Sequence, residues 1–83
     1  MAFKIEWSEE ALRQLYGLSH DDAKRLVKKL DEAAKNPAHF FKRLTGRYEW
    51  KLRIGDYRLI ARISPSKESI SVVTLGHRKN MYK

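Results

Sequence analysis

Lys51, Arg53, Arg58 and Arg62 share one parity on either side of Gly55-Asp56, within the stretch RYEWKLRIGDYRLIAR at residues 47–62. Successive side chains of a strand point to opposite faces. Tyr48, Trp50, Leu52 and Ile54, then Tyr57, Leu59, Ala61 and Ile63, take the other parity. The stretch therefore reads as a hairpin with one apolar face and one cationic face, the latter also carrying Glu49 and Ile60. Guanidinium groups pair bidentately with phosphate oxygens and keep their charge, so such a face suits a phosphate-bearing polyanion. The closing run His77-Arg78-Lys79-Asn80-Met81-Tyr82-Lys83 adds more cations and a phenol.

If the polyanion is RNA, these are residue types that cleave it without a metal. The 2′-hydroxyl is the nucleophile, one group must take its proton, and another must protonate the leaving 5′-oxygen. Preorganised cations stabilise the charge that collects on the phosphate. Arg58 and Arg78 are the natural clamps, with Arg53, Arg62 and Lys79 as further phosphate contacts. Lys51 and Tyr82 are candidates to move protons, which their residue types do near neutral pH only when positive charges crowd them. Glu49 either acts as the base or pairs with a neighbouring arginine. His77 is the residue type that a general-base argument selects, yet on a strand it points away from Arg78, which leaves second-sphere support or packing. The alternative is that each of these cations merely solvates a sheet face and that Tyr82 is an inert chain end.

The rest of the chain supplies the elements that hold this face. Phe3-Lys4-Ile5-Glu6-Trp7 alternates as a short strand. Ser8 followed by Glu9 and Glu10 starts a helix that buries Ala11, Leu12, Leu15 and Tyr16 and stops at Gly17. Ser19, with Asp22 at the capping-box position, starts a second helix. Its apolar stripe is Ala23, Leu26, Val27, Leu30, Ala33 and Ala34, and Asn36-Pro37 ends it. Residues 37–46 read as a loop, with Phe40, Phe41 and Leu44 plugging the junction of helix and sheet; base stacking is the other use of such aromatics. After the hairpin, residues 64–68 form a turn, and the run from Ile70 to Leu75 is apolar on both faces, as in a central strand. The order strand–helix–helix–three strands predicts an α+β fold. Two antiparallel helices pack on one face of a mostly antiparallel four-stranded sheet.

Composition bounds the function classes. With 83 residues, 42% of them hydrophobic, the expectation is a single domain over residues 1–83 with an economical core. Without cysteine there are no disulfides or thiolate sites, and His20, His39 and His77 lack ligand spacing, so no metal or other cofactor is expected. No apolar run approaches a membrane span, and charges interrupt the start MAFKIEWSEE, which points to a cytoplasmic protein with no membrane partner. Residues 1–41 hold seven basic and seven acidic side chains, so the whole net charge of +8 lies in residues 42–83. A surplus confined to the strand-rich half is the footprint of nucleic-acid contact.

Leu44-Thr45-Gly46, then YEWKLRIGDYRLI at 48–60 and LGHRKNMY at 75–82, resemble the RelE/ParE superfamily of toxin–antitoxin toxins over essentially the whole chain. The resemblance to the RelE branch implies a ribosome-dependent endoribonuclease that cuts mRNA in the ribosomal A site. The ParE branch would imply a poison of DNA gyrase, and a third possibility is a catalytically silent domain that binds nucleic acid or antitoxin. By position, Lys51 matches a basic residue of the RelE active site and Arg58 an arginine that binds the scissile phosphate. Arg78 matches the arginine after the last strand, and Tyr82 the terminal tyrosine implicated in catalysis or stacking. Glu49 stands where some members carry a second lysine. The implied partners are the ribosome, mRNA and a cognate antitoxin, the last in a hetero-oligomer and offering an acidic, amphipathic or extended segment.

Overall fold

A computed structural model of the chain describes residues 2–46 and 48–77. The chain runs β1 (Lys4–Trp7), α1 (Glu9–Tyr16), α2 (His20–Ala34), α3 (Pro37–Phe40), β2 (Lys42–Arg43), β3 (Trp50–Ile54), β4 (Tyr57–Ser64) and β5 (Ser69–His77). The strands form one sheet of order β1-β5-β4-β3-β2. Among the described residues, only the β1–β5 pair is parallel. The architecture is the expected α+β, with a short fifth strand and a one-turn helix inside the segment read as a loop. Both are too short to leave a periodic signal: β2 spans two residues and α3 four.

The helices start where their caps lie. Ser8 Oγ accepts from the Ala11 amide at 3.0 Å, and Ser19 Oγ accepts from the Asp22 amide at 3.2 Å. Each helix carries two acidic residues in its first turn, which suits the positive end of the helix dipole. One apolar stripe from each helix then covers the same face of the sheet. Leu26, Leu30, Ala33 and Ala34 of α2 and Ala11 of α1 form a single buried cluster with Leu52, Ile54, Leu59, Ala61, Ile70, Val72, Leu75 and Phe41. Phe40 packs partly against it, in keeping with the plug expected there. Of the residues read from sequence as buried or plugging, Leu12, Tyr16, Ala23, Val27 and Leu44 lie outside it. Tyr16 at the end of α1 is 80% exposed, and Val27 sits on the flank of the α2 stripe at 36%.

The central strand is β5, flanked by β1 and β4. Its pairing with β4 shifts between Ile60 and Ala61, whose partners are Thr74 and Val72, so Val73 is an extra residue. A bulge of this kind changes the parity of the strand. That is why Ile70 and Val72 on one side of it and Leu75 on the other all reach the same core. The run is apolar throughout because the bulge intervenes, in addition to the strand's central place.

Where β1 ends, α1 takes over the edge of β5. Ser8 accepts that role first, its amide donating to the Val72 carbonyl at 3.0 Å and its hydroxyl to the Val73 carbonyl at 2.7 Å. Gln14 follows, its Oε1 accepting from the Leu75 amide at 2.7 Å and from Thr74 Oγ1 at 3.1 Å. Side chains of a helix thereby satisfy backbone groups that a neighbouring strand would otherwise hold.

Candidate nucleic-acid cleft on the open sheet face

The hairpin that carries the cations closes through Gly55-Asp56. Gly55 has φ +58°, the left-handed value that a two-residue hairpin turn with glycine first demands. A tight turn leaves the register of β3 and β4 no freedom, and it sets Leu52 opposite Leu59 and Arg53 opposite Arg58. Leu52 and Leu59 face the helices and are buried. The neighbouring parity, Lys51, Arg53, Arg58, Ile60 and Arg62, faces away from them.

Register divides this open face into two ends. At one end, Glu6, Ser71 and Arg62 lie in one cross-strand row. Ser71 Oγ donates to Glu6 at 3.4 Å, and Arg62 Nη2 lies 3.5 Å from Glu49 Oε2. Carboxylates thus offset the cation there. At the other end, Lys42 of β2 is directly opposite Lys51, and Arg53 is directly opposite Arg58. These four side chains, with Lys29, His39, Phe40 and Leu52, line a cleft of about 330 Å³ that no carboxylate among the described residues lines. Arg58 is half-buried, its Nε enclosed, whereas Arg53 and Lys42 are exposed.

Like charges set directly opposite each other on a sheet are destabilising, by roughly 0.2–1 kcal/mol per pair. Two such pairs side by side are an arrangement that packing does not ask for. At this end guanidinium and ammonium groups from three strands are set side by side, a grouping whose mutual repulsion a phosphate would offset.

Among the residues singled out from sequence, Lys51, Arg53 and Arg58 come together in the cleft. Arg62 lies farther along β4 beside Glu49. His77 does not join them. It is opposite Tyr57, and the two rings meet edge to face at 5.7 Å on the sheet face turned away from Arg58. Arg78, Lys79 and Tyr82 lie outside the described residues. Lys42 and His39 are cleft residues that sequence reasoning passed over, and no alternation marks either one. Among the described residues, no three His, Asp or Glu side chains gather as a metal site.

Behind the cleft, Tyr57 ties the hairpin to α2. Its hydroxyl donates to Asp22 Oδ2 at 3.0 Å. That bond foremost, followed by desolvation and the negative charges of Asp22 and Asp56, raises the phenol pKa above its ordinary value. Asp22, expected as part of a capping box, is thus committed to the sheet. Its amide receives the Ser19 cap and its carboxylate receives Tyr57.

Residues 5–82 match the family model described as the ParE toxin of the type II toxin–antitoxin system parDE. The chain is 30% identical over 82 residues to the mRNA interferase toxin RelE of Escherichia coli K12, covering 95% of this chain and 86% of that protein. The mRNA interferase RelE of Shigella flexneri matches to the same extent. Among solved structures, the intact RelBE toxin–antitoxin complex of E. coli superposes with a TM-score of 0.77 at 27% identity, over 92% of this chain and 96% of that one. A RelBE complex of Mycobacterium tuberculosis shares the fold with a TM-score of 0.84 at 21% identity, over 94% of this chain and 100% of that one. The family match over residues 5–82 and the relative at 30% identity agree, and the chain belongs to the RelE/ParE family of type II toxin–antitoxin toxins.

Proposed function

We propose that this protein is an mRNA endoribonuclease of the RelE type, a cytoplasmic single-domain toxin of residues 1–83 that cleaves mRNA on the ribosome and is held inactive by a cognate antitoxin. The observation that carries the reading is the placing of Lys42 opposite Lys51 and of Arg53 opposite Arg58, all four lining one cleft. Relatives named as mRNA interferases support it, as do structural neighbours crystallised with RelB antitoxins.

In this reading the scissile phosphate sits over Arg58, a half-buried residue whose Nε is enclosed. Arg53, directly opposite on β3, adds charge to the same phosphate, and Arg78 is assigned the same part. The 2′-hydroxyl attacks in line, the P–O5′ bond breaks, and a 2′,3′-cyclic phosphate and a 5′-hydroxyl result. Lys51 and Tyr82 are the groups assigned to the two proton transfers, with Tyr82 also able to stack on a base. Glu49, beside Arg62, is assigned to shaping the far end of the face rather than to proton transfer. The ribosome supplies orientation that so small a cleft cannot, so free RNA is a poor substrate. An acidic antitoxin segment that covers the cationic face would silence all these contacts together.

Cleavage of a defined mRNA programmed into ribosomes, with 5′ ends mapped, tests the reading. Wild-type protein is expected to cut within A-site codons, and Arg58→Ala to cut about 10²-fold more slowly, the typical loss for one preorganised donor to the developing charge. A folded wild-type protein that leaves the mRNA intact overturns the proposal, and gyrase supercoiling becomes the assay of choice.

A further inference from the structure

We propose that the cationic cleft continues past Lys51 around the edge of β3 onto α3 and holds the nucleotide next to the scissile phosphate. In this subsite His39 stacks on the base, and Lys42 and Lys29 hold the adjoining phosphate. The proposal rests on the RNA-cleaving reading of the same cleft and names how its substrate is seated.

The opening exists because β2 is so short. Lys42 and Arg43 pair with Lys51 and Trp50, and the ladder stops there. Phe41, which would come next, turns into the core and is 3% exposed. The β2-side edge of β3 beyond Lys51 is therefore left without a strand, and the cleft passes through this gap to α3. Its volume of about 330 Å³ is within the roughly 300–1,000 Å³ usual for small-ligand sites, more than the phosphate alone requires.

The side chains at the gap have the chemistry of a nucleotide site. His39 is exposed and meets the Phe40 ring edge to face at 4.8 Å, a contact that occupies at most one face of the imidazole. The other face is available to a base, as aromatic side chains are in single-strand binding sites. Phe40 is itself half-buried against the core and so fixes where His39 stands. Lys29 Nζ lies 4.8 Å from the centroid of the same Phe40 ring. Its other contact is Glu32 at 4.0 Å, an exposed i,i+3 pair of the kind worth little to stability and readily exchanged for a phosphate. Helices α2 and α3 and strand β2 thus bring a stacking ring and two lysines to the same cleft, an arrangement that neither core packing nor the capping of α3 calls for.

The test is a titration of the full chain with a hexaribonucleotide bearing 2′-O-methyl groups at every position, which binds without being cut. Imidazole and amide NMR shifts of His39 and Lys29 are expected to move together with those of Arg58. His39→Ala and Lys29→Gln are each expected to weaken binding about tenfold, with His39→Trp restoring it because stacking needs only a π-face. His39 is exposed, so its variants keep the wild-type melting temperature. Shifts at Arg58 without shifts at His39, or an unchanged affinity for His39→Ala, overturn the subsite while leaving the cleavage proposal standing. RNA that perturbs neither residue, together with ribosome-bound mRNA that is not cut, overturns both.

Discussion

Arg53 and Arg58 face each other across the hairpin, and Lys42 faces Lys51 one row along. A side chain placed for catalysis at this cost leaves a trace in stability. Lys51→Met removes one member of a repelling pair while keeping the aliphatic stem, and it is expected to raise the unfolding free energy by up to about 1 kcal/mol. The same change is expected to slow mRNA cleavage. Chemical denaturation beside the ribosome assay checks both, and a variant that loses stability would argue that Lys51 serves packing. Tyr57 makes a second prediction. Because the Asp22 bond raises its pKa, the neutral phenol stabilises the fold fully below its unfolded value, and that contribution is lost as pH rises through the folded value. The stability gap between wild type and Tyr57→Phe should therefore close as pH rises past the ordinary phenol value of about 10, as followed by melting temperature.

Among the elements, β5 depends most on its neighbours. Its edge beyond β1 is completed by Ser8 and by Gln14 of α1, the latter bonded to both Leu75 and Thr74. Gln14→Leu keeps much of the volume and removes the acceptor, leaving the Leu75 amide without it in a half-buried place. The expected loss is about 1–3 kcal/mol, the desolvation penalty of an unmet donor, measured by urea denaturation. Amide exchange at Leu75 should accelerate in parallel. The bulge at Val73 is the complementary device. It lets a strand with two parities of apolar residue bury Ile70, Val72 and Leu75 together.

Across the whole molecule, charge and apolar burial are separated by the sheet. The helices and one sheet face take the core, while Lys42, Lys51, Arg53, Arg58 and Arg62 lie on the other face and at its edge. Binding to single-stranded RNA should then be steeply salt-dependent, with log K falling by about 0.7 per phosphate engaged for each log unit of salt. If Lys42, Lys51, Arg53 and Arg58 each engage one phosphate, the slope is roughly −3, and Lys51→Gln makes it shallower by about 0.7. Fluorescence anisotropy over a salt series measures both. A slope that Lys51→Gln leaves unchanged would place RNA elsewhere on the protein.

Alternation over residues 48–63, the serine caps at Ser8 and Ser19, Gly55 at the turn and the helical stripe of residues 23–34 were sufficient to specify the α+β order and the existence of a cationic sheet face. Those signals act between residues close in sequence, and so does the motif likeness that names the family. Only the tertiary structure decided which cations meet. Lys42 joins Lys51 through a two-residue strand that has no period to read, and Arg62 lies farther along β4 beside Glu49. His77 is turned to the Tyr57 side by the register of β4 with β5. His39 enters the cleft because Phe41 leaves the ladder for the core. Each of these outcomes depends on pairing between distant segments and on competition for core volume, which nothing in the local pattern around those residues encodes.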